Sequence, residues 1–444
     1  MDIDNVTLSR LLTSMTLGFH IIFATIGVGM PLMIAIAEGL GILKKDNYYT
    51  LMARRWARGY TITVAVGVVT GTCIGLQLSL LWPSFMRIAG QAISFPLFME
   101  TFAFFFEAIF LGIYLYTWDR FKKPIYHWLI IIPVIIGSSL SAFFITTVNA
   151  FMNTPQGFTI NNGVIKTVDP IAAMFNPAAP SKTMHVIVTA YVASALILTS
   201  IAAIQMLRGK ITEYTKKGLR LVATLGLIFA VLTGVTGDVS AKFLAEYQPE
   251  KLAAIEWHFE TEKGADFILF GTLDNDTHEV KYEIRIPKLL SFLAFTDFDA
   301  PVIGLNEFPK DVTPPLFIHY LFDIKMSFVF LIISMTFFFV VFSLRKKEWM
   351  HNKWLLRGLA LTGPLAMINI ELGWMIAEIG RQPWILRGYM KVQEGATTAK
   401  GLGSMFWLFL LLYIFLGVFC TIVIRKMFIH NPPEEELQYR FNNK

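Results

Sequence analysis

The stretch Glu371-Leu-Gly-Trp374-Met-Ile-Ala-Glu378-Ile-Gly380-Arg381-Gln382-Pro383-Trp384 sets two carboxylates inside an apolar run that closes on an arginine and a tryptophan. A charged side chain at bilayer depth costs at least a few kcal/mol, so carboxylates kept there usually have partners and a task. The residues around this stretch make the membrane setting explicit. The chain has 444 residues, 55% of them hydrophobic and only 16% charged, with a mean hydropathy of +0.56, far from a soluble domain.

Apolar runs long enough to cross about 30 Å of hydrocarbon occupy 13–40, 56–82, 95–118, 128–152, 184–207, 219–241, 316–343, 355–380 and 403–429. The expected fold is therefore an all-α integral membrane protein of nine transmembrane helices. The first run begins with acids and lacks a small-residue cleavage site, which argues against a cleavable signal peptide. Transmembrane helices 1–6 fall in 1–241, a larger loop in 242–315, helices 7–9 in 316–429 and a tail in 430–444. Pro432-Pro433-Glu-Glu-Glu reads as a frayed end, and 267–286, around Thr272-Leu-Asp-Asn275, as a hairpin.

Basic residues follow every odd-numbered span: Lys44, Lys45, Arg54 and Arg55, then Arg120, Lys122 and Lys123, then Arg208 to Arg220, Arg345 to Lys353, and Arg425 with Lys426. The positive-inside rule then puts the N-terminus outside, the C-terminus in the cytoplasm and the 242–315 loop outside. The net charge of +6 describes topology; no basic stripe suggests nucleic acid. Cys73 and Cys420 both lie in spans, which leaves no disulfide framework or cysteine metal site.

With that topology, five spans bring His20, His185, Met326, Glu100, Glu107 and Glu378 to one outer layer. Imidazole, thioether and carboxylate are all axial groups for haem iron, or ligands for another metal. The bland readings are packing, since the chain holds nineteen methionines, and hydrogen-bonded core groups. His127, His351 and His430 border cytoplasmic loops and read as solvated or interfacial. Glu371 and Glu378, like Glu100 and Glu107, are seven apart and share a helix face, as a proton seam would require.

These residues also carry a family pattern. Gly380-Arg381-Gln382-Pro383-Trp384 behind Trp374 and Glu378, Gly237-Asp238-Val-Ser-Ala, Gln248-Pro-Glu-Lys251-Leu-Ala-Ala-Ile-Glu256, Leu8-Ser-Arg10 with His20, the Phe-Phe-Phe-Glu107 run, Trp118-Asp119-Arg120 and Asn149-Ala-Phe-Met-Asn153-Thr-Pro155 resemble subunit I of cytochrome bd-type quinol oxidases along nearly the whole chain. The resemblance implies two haems b and one haem d, quinol oxidation, and reduction of dioxygen to water without pumping. It implies a second large membrane subunit, a small single-span subunit, and residence in a bacterial or archaeal cytoplasmic membrane. His185 matches a low-spin haem ligand; His20 and Glu378 match the ligands of the two high-spin haems, in an order left open. Lys251 and Glu256 match the quinol site, Trp374 and Arg381 flank the haems, and Glu100, Glu107 and Asn149 match the proton-delivery region.

The chain departs from the family at the seventh span, where Asp323-Ile324-Lys325-Met326 stands in place of Arg-Ile-Met. Simple register puts Lys325 at the ligand methionine; a one-residue adjustment restores Met326, the expectation adopted because a thioether needs no deprotonation. Two other classes fit the intramembrane Glu and His: a proton-coupled secondary transporter, and a haem-binding subunit without oxidase activity.

Overall fold

The computed structural model describes residues 4–161, 164–274, 277–345 and 347–442. Among them, nine helices are long and apolar enough to cross a membrane: Asn5–Lys44, Asn47–Leu81, Pro83–Tyr116, Pro124–Asn153, Ala179–Leu207, Glu213–Tyr247, Ile318–Arg345, Lys353–Ile379 and Leu402–Ile429. They are the nine expected spans, lengthened at their ends by capped turns. Asp4 accepts the Thr7 N–H and Asp46 that of Tyr48, Asn352 those of Trp354 and Leu355, while Pro83 and Pro124 open their helices. Each device covers or removes donors that a helix start leaves unbonded. The sixth helix runs on to Tyr247, so the large loop begins at 248.

Lipid is as apolar as leucine, so close approach rather than burial of apolar surface must hold such helices together. The first span meets the fifth at Gly29, where an added Cβ would lie 2.2 Å from the Ala190 carbonyl oxygen and from Ser194 Oγ. The fourth meets the third at Gly137, whose Cβ would lie 2.9 Å from the backbone nitrogen of Glu107. The ninth span is peripheral, with Trp407, Leu408, Leu411 and Phe415 all exposed.

The three long connections, 154–178, 248–317 and 380–401, meet at one end of the bundle. Arg387 ties the last to the second and to two span ends: its N–H donates to the Met152 carbonyl (3.0 Å) and its guanidinium to the Tyr247 carbonyl (2.7 Å) and Glu250 (2.8 Å). The N-terminus is there too, with Asn5 bonded to Ala399. In 248–317, strands 267–269 and 284–286, and 272–273 and 280–281, pair antiparallel. The expected hairpin is thus present, although Asn275 lies outside the described residues. Asp323 accepts the Phe270 N–H (2.8 Å) and ties the hairpin to the seventh span.

The opposite end carries the basic turns, and there two expectations fail. The tail is not frayed: Pro433–Leu437 is helical, and Glu436 accepts from Arg55 (2.8 Å) and Arg58 (2.6 Å). Arg55 is buried, and a buried guanidinium needs an anion. His127 is not solvated. It is 4% exposed, bonded through Nδ1 to Glu38 (2.6 Å) and through Nε2 to the Tyr114 carbonyl (2.9 Å), and covered by the rings of Tyr114 and Trp118.

Candidate haem and quinol sites

Two imidazoles share one local design. His20 Nδ1 lies 2.9 Å from Thr70 Oγ1, on the second span, and His185 Nδ1 lies 2.9 Å from Thr236 Oγ1, on the sixth. Each threonine already donates its own hydroxyl proton to its helix, Thr70 to the Val66 carbonyl and Thr236 to the Thr233 carbonyl. Each threonine oxygen therefore accepts from the ring and Nδ1 carries the proton; His20 also meets the Gly67 carbonyl, while no hydrogen bond is made by His185 Nε2 among the described residues. A hydrogen bond on the far nitrogen is how metal-binding histidines are oriented. Glycines flank both rings. A Cβ on Gly71 would lie 3.2 Å from His20 Cε1, and one on Gly237 3.8 Å from His185 Cε1.

Glu378, near the end of the eighth span, accepts from Asn149 and from Arg381 Nη2 (2.5 Å). Lys182 Nζ donates to Asn149 Oδ1 (3.2 Å), and Lys251 Nζ to the Ala377 carbonyl (3.0 Å). One carboxylate thus stands among three cations, and Nε and Nη1 of the buried Arg381 have no partner. The site has room in charge and in donors for further anionic groups. Lys182 is absent from the sequence reading; its only signal is its place three residues before His185. Trp374 is half-buried one turn before Glu378, and Glu371 reaches the first span, where a Cβ on Gly18 would lie 3.5 Å from its Oε2.

Glu100, Glu107 and Tyr114, at seven-residue intervals, line one face of the third span. Glu100 accepts from Ser141 (3.0 Å), Glu107 from Tyr60, and Tyr114 donates to Glu38 (2.7 Å). With Asn149 they form a polar row from the basic end toward Glu378.

Lys251 lies on the short helix Pro249–Ile255, and Glu256 caps it. Burial brings the Lys251 ammonium down to about 8 against the opposing pull of Glu378. Glu256 is 3% exposed; burial, with Asp323 adding to it, holds its carboxyl well above the usual range. Beside it is a group the sequence reading missed. His319 is fully buried, stacked on Trp257 at 3.9 Å, donates Nδ1–H to the Ile255 carbonyl (2.5 Å), and holds Nε2 3.2 Å from Asp323 Oδ2. No motif points to His319, because its role depends on a loop folding back onto the seventh span.

Among the described residues no three His, Cys, Asp or Glu side chains converge on a bare ion. Single ligands on separate helices are what a porphyrin needs, since the ring supplies the other four donors.

Comparisons with known proteins place the chain among relatives. Residues 8–432 match the family model for cytochrome bd terminal oxidase subunit I. A Bacillus subtilis protein named putative cytochrome bd menaquinol oxidase subunit I is 42% identical over 98% of this chain and 99% of its own length. The Bacillus subtilis cytochrome bd ubiquinol oxidase subunit 1 is 32% identical, over 93% of this chain and 91% of its own length. A solved structure, the bd oxidase from Geobacillus thermodenitrificans, superposes with a TM-score of 0.93 at 59% identity, over 97% of this chain and 99% of that one.

Proposed function

The chain belongs to the cytochrome bd terminal oxidase subunit I family and is a haem-bearing, multi-pass subunit of a bacterial membrane quinol oxidase that works with a subunit II; we propose that it holds two haems b and one haem d, and that its oxidase builds membrane potential by charge separation without pumping. A small single-span subunit completes the assembly. The observation that carries the haem reading is the pair of imidazoles fixed through Nδ1. His185 would hold the low-spin haem together with a side chain of the seventh span, Lys325 or Met326. His20 and Glu378 hold the high-spin pair, flanked by Trp374 and Arg381. The spare positive charge of Lys182, Lys251 and Arg381 suits propionate carboxylates.

Bound in these positions, the haems supply electron transfer and the reduction of dioxygen. The protein handles the protons. Quinol binds at the 248–317 segment, which faces outside, against Lys251 and Glu256. Burial favours the protonated form of the Glu256 carboxyl, so it must release its own proton before accepting one from quinol, and the buried His319 and Asp323 lie beside it. Protons for water come from the cytoplasmic end along Tyr114, Glu107, Glu100 and Asn149, with the hydroxyls of Tyr60 and Ser141 bonded to Glu107 and Glu100.

The test is a reduced spectrum of the purified complex together with oxygen uptake on quinol. A band in the red from haem d and quinol-dependent uptake are expected. A complex without haem bands, or a haem-loaded one that consumes no oxygen, refutes the reading.

A further inference from the structure

We infer that Lys325, not Met326, is the side chain set opposite His185, so that the low-spin haem of this chain is held by an imidazole and an amine. The inference rests on the haem reading of His185 given above.

Helix geometry separates the two candidates, because adjacent residues point about 100° apart. Lys325 stands seven residues from both Ile318 and Ile332 and fourteen from Phe339, and these are 0%, 4% and 1% exposed. It therefore occupies the middle of the inward face of the seventh span. Met326 has the fully buried His319 seven residues before it, but C-terminal to that point its stripe continues to Phe330 and Phe337, which are 62% and 48% exposed. Inward is also toward the eighth span: the Lys325 stem packs against it at Gly373, where an added Cβ would lie 3.8 Å from Lys325 Cε, in ordinary contact. Lys325 is near enough to His185 for its charge to act on the imidazole. Among the described residues it makes no hydrogen bond or ion pair, whereas Lys182, Lys217, Lys242 and Lys251 are all engaged.

The chemistry is sound. A neutral amine is a strong σ-donor to haem iron, and unlike a thioether it does not favour the reduced metal; a histidine–methionine pair raises the potential.

The experiment uses the purified oxidase complex with Lys325→Leu, Lys325→Met and Met326→Leu. The low-spin haem is followed by electron paramagnetic resonance, near-infrared magnetic circular dichroism and redox titration. The expected result is loss of the low-spin signal in Lys325→Leu and no change in Met326→Leu. Lys325→Met should keep a low-spin haem, with its charge-transfer band moved to longer wavelength and its potential raised. Loss in Met326→Leu with an unaltered Lys325→Leu overturns the inference. Where both leucine variants lose the haem, the unmutated band decides: a nitrogen–nitrogen position supports the inference and a nitrogen–sulfur position overturns it. If His185→Ala leaves the low-spin signal intact, the underlying reading fails instead.

Discussion

Replacing Thr236 by valine tests the claim that a threonine oxygen fixes the His185 ring. Valine keeps the shape of threonine at a site only 6% exposed and removes the one acceptor, 2.9 Å from Nδ1. A buried donor left without a partner costs about 1–3 kcal/mol, and loss of such a partner lowers metal affinity about 10–100-fold, or about 1.4–2.8 kcal/mol. The two figures agree, so the low-spin haem should be bound roughly 10–100-fold more weakly in Thr236→Val. Thr236→Ser, which keeps the oxygen, should behave as the unmutated protein. The assay is low-spin haem content per complex after graded detergent or competitor challenge, read from reduced-minus-oxidised spectra. Full retention in Thr236→Val, with an unshifted spectrum and potential, would refute the tautomer argument.

Glu256→Gln should flatten the pH dependence of thermal stability. The folded carboxyl binds its proton more tightly than the ordinary value of 4.5, so its contribution is full below that value and is lost as pH rises toward the raised one; an unchanged profile counts against its burial. In quinol turnover, the rising alkaline limb of the pH profile should disappear in the same variant. Lys251→Met should be more stable than the unmutated protein at pH 7, by a margin that narrows above about 8, which pH-resolved melting would show. Gly380→Ala puts a Cβ 2.6 Å from both Lys251 Cε and the Ile376 carbonyl; overpacking costs about 1–3 kcal/mol, and a several-fold rise in the quinol KM is expected in steady-state kinetics. Glu436→Ala leaves the buried Arg55 without its anion and should destabilise the complex by about 3 kcal/mol, measurable as a lower melting midpoint.

The nine spans were legible because a membrane helix must satisfy its backbone within itself and be apolar for its whole length, which leaves a plain record in sequence. The ligand candidates were legible for a related reason: His20, His185 and Glu378 are polar groups in runs that otherwise exclude them. What escaped depends on contacts between distant segments. Thr70 and Thr236 look like ordinary helix threonines until their hydroxyl protons are accounted for. Lys182 looks like a span-end anchor, and His319 like a loop-end residue. His127 and Glu436 were misread because nearness to basic turns says nothing of whether Glu38 or Arg55 lies across from them.

The most direct test of the whole account is the pigment extracted from the purified complex, compared with complexes carrying His185→Ala or Glu378→Ala. The account predicts two haems b for each haem d in the unmutated complex, loss of the low-spin b spectrum in His185→Ala, and loss of a high-spin haem signal in Glu378→Ala. Full retention of all haems in both variants, or an unmutated complex free of haem, would contradict it.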